Sequence, residues 1–372
     1  MNAIAAGLTD QPASVRPSIG DVGAETPAHA APVVSFISWS EDDGRALEVA
    51  AALGGEARIF YDLRIVRRPL VPIRYLLSAT RTIAYLVRRR PGGVIVTNPP
   101  IFPGLIGLAY ASVTGAALVL DSHPSAFGAA PLASRLIGVH AWLSRRAVTT
   151  LVTVEELAGV VRGWGGSADI VHEAPPPWSV RPLSHLEGRP RVLYIGRFSD
   201  DEPTQEVIDA ARALPEVDVC ITGDLRKCPP GARTTAPPNV IFTGFLRGEK
   251  YRRALEDADI VLVLTRHEQA VNRAAYEGVY AGRPLIVSAR TAMIRLFPYA
   301  IAVGDDAASI AEGIRGAVDR HAELVAAAPS ALALQSERWR RQLAHLHRYV
   351  GDGRAREAAS PELAAAGVDR SE

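Results

Sequence analysis

Short unbroken apolar runs alternate with helix-compatible stretches along most of the chain. Val33–Ser38, Ala57–Tyr61, Gly93–Thr97, Ala117–Asp121, Thr150–Val154 and Asp169–His172 predict six strands in the first half. Runs this short, without polar alternation, suit parallel strands covered on both faces. Helices are predicted from the capping residues Ser40 to Asp43 through Leu53, and over Tyr75–Arg90, Gly104–Thr114 and about Leu132–Ala147. The stretch from Ala174 to Pro190 is Pro-rich and has neither period, which marks a linker. The alternation then restarts. Strands are predicted at Arg191–Ile195, Val217–Ile221, Val240–Thr243, Ile260–Leu264, Leu285–Ser288 and Ile301–Val303. Helices are predicted at Thr204–Leu214, Lys250–Asp257, Ala270–Ala281, Ala307–His321 and Ser330–Tyr349.

Two successive α/β units follow from this pattern, each a parallel sheet wrapped by helices. The expected boundaries are 33–178 for the first unit, 179–190 for the linker, 191–329 for the second and 330–350 for a closing helix. Residues 1–32 and 351–372 are rich in small and polar residues and are expected to be disordered. No basic start followed by an apolar stretch marks residues 1–32 as a secretory signal. No GxGxxG follows the first strand, which argues against a dinucleotide-binding domain.

Composition narrows the choice of chemistry. A net charge of +1 argues against a nucleic-acid partner. Cys220 and Cys228 are the only cysteines and form no CxxC, so a disulfide framework is excluded and a cytoplasmic setting expected. No run of about 20 apolar residues is present to span a bilayer. The near-neutral total conceals a basic stretch from Arg58 to Arg90, with Arg64, Arg67, Arg68, Arg74, Arg81, Arg88 and Arg89 between them and Asp62 the single acid. Apolar residues interleave with these arginines over Tyr75–Arg90, so this helix is either a solvated face over a core stripe or a contact to an anionic membrane surface.

Four polar clusters fall at predicted strand ends, where a parallel sheet meets its ligand. The first-half clusters are Asn98-Pro99-Pro100 and Asp121-Ser122-His123. His123 is the candidate general base for an acceptor hydroxyl, or a contact to a sugar hydroxyl, with Asp121 beside it. The second-half clusters are Gly196 to Glu202 and Thr265 to Glu277. Gly196 admits a close backbone approach and Arg197 can hold phosphate oxygens bidentately. A diphosphate also suits the start of the helix expected near Ala270, with Arg266 as a further phosphate partner. Glu277 is placed to accept from ribose hydroxyls and Glu268 from sugar hydroxyls. Asp201 and Glu202 read as acids capping the helix that follows. No His, Cys and acid spacing makes a metal site, and no metal or other cofactor is expected.

The second half resembles the donor domain of GT-B glycosyltransferases, especially family four. The residues that carry the resemblance are Val192 to Arg197, Ile221 to Asp224, Asn239 to Leu246, Tyr251, Ala258 to Leu262 and Glu277 to Pro284. Asn98-Pro99-Pro100 and Asp121 to His123 resemble, more loosely, the acceptor domain of mannosyltransferases that extend lipid-linked chitobiose. The resemblance implies a GT-B fold, with two Rossmann-like domains facing a central cleft. It implies transfer of a sugar from a nucleoside-diphosphate donor to a hydroxyl acceptor, which includes a glycan or lipid-linked saccharide at the inner membrane face. Gly196, Arg197, Arg266, Glu268, Gln269, Asn272 and Glu277 are then the donor-binding set, and Asn98, Pro99 and Pro100 the acceptor side. The family usually needs no metal. Its closing helix crosses back to the first domain.

The chain departs from the family in three places. Seven residues usually separate the paired glutamates, but eight separate Glu268 from Glu277, and Gln269 holds the regular position. Asp200, Asp201 and Glu202 stand where a lysine usually follows the Gly-Arg loop. The Gly-Phe-Gly after the first glutamate is missing. Two other readings share the fold. A nucleotide-sugar 2-epimerase needs acid/base carboxylates in both halves, and the basic first half argues against it. A non-catalytic partner subunit that kept the fold is permitted by the three departures.

Overall fold

The computed structural model describes residues 34–41, 43–61, 70–128, 131–183, 186 and 188–350. The expected disorder of 1–32 and 351–372, and the predicted roles of Arg64, Arg67 and Arg68, lie outside the described residues.

The first sheet contains β1 (Val34–Ser38), β2 (Glu56–Ile59), β3 (Gly93–Asn98), β4 (Ala117–Ser122), β5 (Thr149–Val152) and β6 (Ala168–Ile170). Its order is β2-β1-β3-β4-β5-β6, with parallel pairing throughout. Every residue of β1, β3 and β4 is buried, as their apolar runs require. Helices α1 (Gly44–Ala52), α2 (Val71–Arg89), α3 (Phe102–Thr114), α4 (Pro131–Ser144) and α5 (Glu155–Gly163) cover it, with a 3-10 turn at Pro124–Phe127.

The second sheet contains β7 (Arg191–Tyr194), β8 (Asp218–Thr222), β9 (Val240–Gly244), β10 (Ile260–Val263), β11 (Leu285–Ser288) and β12 (Ile301–Val303). Its order is β12-β11-β10-β7-β8-β9, again all parallel. Its helices are α6 (Thr204–Arg212), α7 (Ala232–Thr235), α8 (Gly248–Glu256), α9 (Arg273–Tyr280), α10 (Thr291–Leu296) and α11 (Ala307–Asp319). Cys220 is buried within β8.

The last helix, α12, runs from His321 to Val350 and passes through Pro329. The predicted start at Ser330 falls inside this helix, one residue after Pro329. Here it sits in the interior and its missing N–H is tolerated. Near its start α12 packs Ala331 into a core beneath the second sheet. Trp339, Leu346 and Val350 join Val34, Phe36, Ile95 and Val119 in a core beneath the first. Helices α5, α7 and α10 were not among the predicted elements.

Candidate functional site

Each sheet reverses its strand order once, between β1 and β3 in the first and between β7 and β10 in the second. Carboxyl ends at such a reversal open a crevice. Residues leaving those strands and the adjacent β4 build the site from both halves.

On the first half, Asp121 is the penultimate residue of β4 and is buried. Arg45, in α1, donates from Nε and Nη2 to its carboxylate at 3.1 to 3.2 Å. Arg45 also donates to Glu173 Oε1 at 3.2 Å and to the carbonyls of Val171 and His172 at 2.9 Å. Burial alone would lower the Arg45 pKa; the Asp121 and Glu173 carboxylates raise it above its ordinary value. His123 is partly exposed, with Nε2 3.7 Å from Asp121 Oδ2. Its N–H donates to the Asn98 carbonyl at 2.9 Å, which brings the Asn98-Pro99-Pro100 loop beside it. The Asn98 side chain turns inward and donates to Ser122 Oγ at 3.3 Å, and Ser122 pairs with His140 Nε2 at 2.9 Å. Burial lowers His140 to about 4, so this imidazole is neutral at pH 7.

On the second half, the loop after β7 is pinned from within. The Arg197 and Ser199 N–H groups donate to Glu202 Oε2 at 2.8 and 3.3 Å. Glu202 is buried and caps its own loop rather than α6, whose N-cap is Pro203. Asp201 does not cap α6 either: it accepts from Thr265 Oγ1 at 3.0 Å. Burial opposes ionisation of Asp201, but the neighbouring Ser199 and Thr265 hydroxyls hold its pKa below the usual value. Phe198 has φ 58°, and its ring fills the space a side chain at position 223 would need, 2.5 Å from the Cβ site. Only glycine fits at Gly223, where φ is also 142°. Arg266 clamps this loop from outside, donating to Glu206 at 2.6 Å and to the Glu202 carbonyl at 3.1 Å. Arg197 itself is exposed.

The helix expected from Ala270 begins at Arg273, because Asn272 takes the extended N-cap position without a side-chain cap bond. Gln269 is exposed in the loop before it. Glu268 is 60% exposed and pairs with Arg290 at 3.2 Å. Glu277 is only 13% exposed. Its Oε2 accepts from the Tyr251 hydroxyl at 2.5 Å, and its Oε1 from Arg273 Nε at 2.8 Å. Burial, and then the Glu277 charge, push the Tyr251 hydroxyl well above its ordinary pKa, so it donates rather than ionises.

Arg273 joins the halves. Its Nη2 donates to Glu48 of α1 at 2.5 Å, and its Nη1 lies 3.6 Å from Glu173 Oε2. A continuous chain therefore runs Asp121, Arg45, Glu173, Arg273, Glu277, Tyr251. The predicted Asp121 and Glu277 are its outer carboxylates. Glu268, Gln269 and Arg266 stand outside it. Arg45, Glu48, Glu173 and Arg273 were missed by sequence reasoning. Of these only Arg273 left a local signal, a cation at the first position of a helix. Among the described residues, no three His, Cys, Asp or Glu side chains gather as a metal site.

Residues 189–320, about a third of the chain, match the family model described as Glycosyl transferases group 1. No curated protein matches the chain. Solved structures match across most of it. Anabaena Alr3699/HepE in complex with UDP and glucose is 13% identical over 86% of this chain and 100% of that one, with TM-score 0.65. Sucrose-phosphate synthase from Thermosynechococcus elongatus is 16% identical over 84% and 99%, with TM-score 0.61. A candidate UDP-N-acetylglucosamine 2-epimerase from Listeria monocytogenes is 12% identical over 86% and 98%, with TM-score 0.58. At these identities the solved structures establish the architecture. Two six-stranded parallel sheets, with the match in the second, give this chain a GT-B fold carrying the glycosyl transferases group 1 pattern in its second half.

Proposed function

We propose that this protein is a glycosyltransferase that uses a nucleoside-diphosphate sugar. The observation that supports this most is Glu277. Its carboxylate sits on the helix that follows β10 at the strand-order reversal, inside the matched segment, and is linked through Arg273 to Glu48 of the first half. In the reaction the bond between sugar C1 and the diphosphate oxygen breaks, and one from C1 to the acceptor oxygen forms. The acceptor hydroxyl gives its proton to the His123 imidazole, and the nucleoside diphosphate departs. Glu277 accepts from the ribose hydroxyls. Arg197 and the N–H groups at the start of α9 face the departing diphosphate, where preorganised positive charge favours the transition state. His123 meets the acceptor hydroxyl, with Asp121 fixed by Arg45 beneath it. Incubation with UDP-, GDP- and dTDP-sugars and a membrane extract is expected to release nucleoside diphosphate from one donor. No release across the panel, under conditions where the protein is folded, would sink the activity.

The acceptor we propose is a lipid-linked saccharide, reached from an anionic membrane surface. Ile73, Leu76, Ile83 and Val87 recur on one side of α2 and are all exposed, Leu76 by 64%. The helix instead turns Ser78, Thr82 and Leu86 inward. Ser78 Oγ donates to the Phe60 carbonyl at 2.8 Å, and Trp39 Nε1 donates to Thr82 Oγ1 at 3.0 Å. An apolar face left outward and flanked by Arg74, Arg81 and Arg88 suits an anionic interface. Among the described residues no helix is long and apolar enough to cross a membrane. The contact we propose is a peripheral one through α2. The protein is expected to co-sediment with vesicles containing phosphatidylglycerol and not with phosphatidylcholine alone. Serine at 76, 83 and 87 is expected to weaken this about tenfold or more, following the apolar area removed. Equal binding of the triple variant would exclude α2 as the contact.

A further inference from the structure

Arg273 breaks a local rule. It is the first residue of α9, where unpaired N–H groups make the potential positive and cations are disfavoured. Its guanidinium is drawn away from the helix instead, onto Glu48 at 2.5 Å and Glu277 at 2.8 Å, with Glu173 at 3.6 Å. Gly44 leaves room for it: a Cβ there would stand 2.9 Å from Arg273 Nη1. Three carboxylates thus surround one guanidinium. Two of their oxygens, Glu48 Oε2 and Glu173 Oε2, are buried without a hydrogen-bond partner. Burial pushes the Glu48 carboxyl up in pKa, and Arg273 offsets this only in part. One positive charge is thus shared among three carboxylates, and the one bonded from Nε is the proposed ribose contact.

The phosphate side of the donor site adds the second observation. The loop after β7 carries buried Glu202 where a second cation would help, and Arg266 is turned onto Glu206. Arg273 stands at the start of the helix that would receive the diphosphate. We propose that Arg273 is the gate of the donor site. Without donor it occupies Glu277 and ties α9 to α1. A nucleoside diphosphate draws the guanidinium onto its phosphate oxygens and frees Glu277 for the ribose hydroxyls. This deepens the glycosyltransferase reading and rests on it.

The test is titration calorimetry of UDP, GDP and dTDP against the full-length protein, E48Q and R273A. E48Q removes one competitor for the guanidinium and leaves Glu277 intact. For the preferred nucleotide, affinity is expected to rise about three- to tenfold in E48Q, and to fall about tenfold or more in R273A, which loses a bidentate phosphate partner. Equal affinity in all three proteins overturns the gate and leaves the donor reading standing. Tighter binding by R273A reduces Arg273 to an obstruction and overturns the partner exchange. No binding by any of the three removes the donor reading and the gate together. If R273A does not fold, amide exchange in the wild-type protein decides the matter. Saturating nucleotide is expected to speed exchange in α1 and slow it at the start of α9, and an unchanged α1 overturns the gate.

Discussion

Replacing Arg45 with methionine is expected to destabilise the protein by about 3–5 kcal/mol, the usual consequence of removing one partner from a buried ion pair. The side chain is 5% exposed, and its charge is shared between Asp121 and Glu173. Methionine fills much of the volume but leaves the Asp121 carboxylate, 3% exposed, without its counter-ion. It also strands the carbonyls of Val171 and His172 that Arg45 now satisfies. For a two-domain chain this corresponds to a fall in Tm of roughly 10 °C, read by scanning calorimetry. Adding Asp121→Leu to Arg45→Met is expected to restore a large part of the loss, because the Asp121 charge is then gone and Glu173 keeps Arg273 beside it. A single variant that melts within about 2 °C of wild type would show that the pair is hydrated in solution.

The second large effect is on binding. Glu277→Gln keeps the shape of the side chain and removes the charge that accepts from Tyr251 and Arg273. A charge-assisted hydrogen bond contributes about 1.5–3 kcal/mol, so nucleotide affinity is expected to fall roughly 10- to 100-fold. Affinity for inorganic pyrophosphate, which lacks ribose, is expected to rise about three- to tenfold instead, as in E48Q, because Arg273 loses a competing carboxylate. Glu268→Gln is expected to stay within about threefold for the nucleotide as well, since this carboxylate is solvated and ion pairs of that kind contribute little. Similar, small losses for Glu277→Gln and Glu268→Gln would remove the ribose role from Glu277. Calorimetry on the three proteins supplies all of these numbers.

The strands were legible because parallel strands covered on both faces must be continuous apolar runs, and Ile260–Val263 or Ala117–Ser122 have little else they can be. Spacing within one element was equally readable. Glu277, Gly282 and Pro284 stand on a helix, its stop and the next strand entry, so their relation is fixed by local geometry. The loops resisted. Glu202 looked like a helix cap because only its distance in sequence to α6 was visible, and its actual partners lie behind it in the chain. The charge chain across the cleft was hidden for a different reason. Arg45 and Glu173 are separated by 128 positions, and Glu48 and Arg273 by 225. No periodicity links residues so far apart; only the closure of two sheets does. The outward apolar face of α2 was half visible, as arginines interleaved with apolar residues, but which face turned inward depended on Trp39 and Phe60.

Helix α12 has a consequence for how the chain is made. The core beneath the first sheet contains Val34, Phe36 and Val49 from near the start, and Trp339, Leu346 and Val350 from near the end. On the ribosome, the first six strands emerge long before those last side chains exist to cover them. The first half therefore waits, with part of its apolar surface bare, until α12 has been synthesised. Such an interval favours chaperone capture and off-pathway association, since exposed apolar surface in an incomplete domain is what drives both. Losing the last turns of α12 to a premature stop would leave that surface uncovered for good, at the opposite end of the sequence from the strands it exposes.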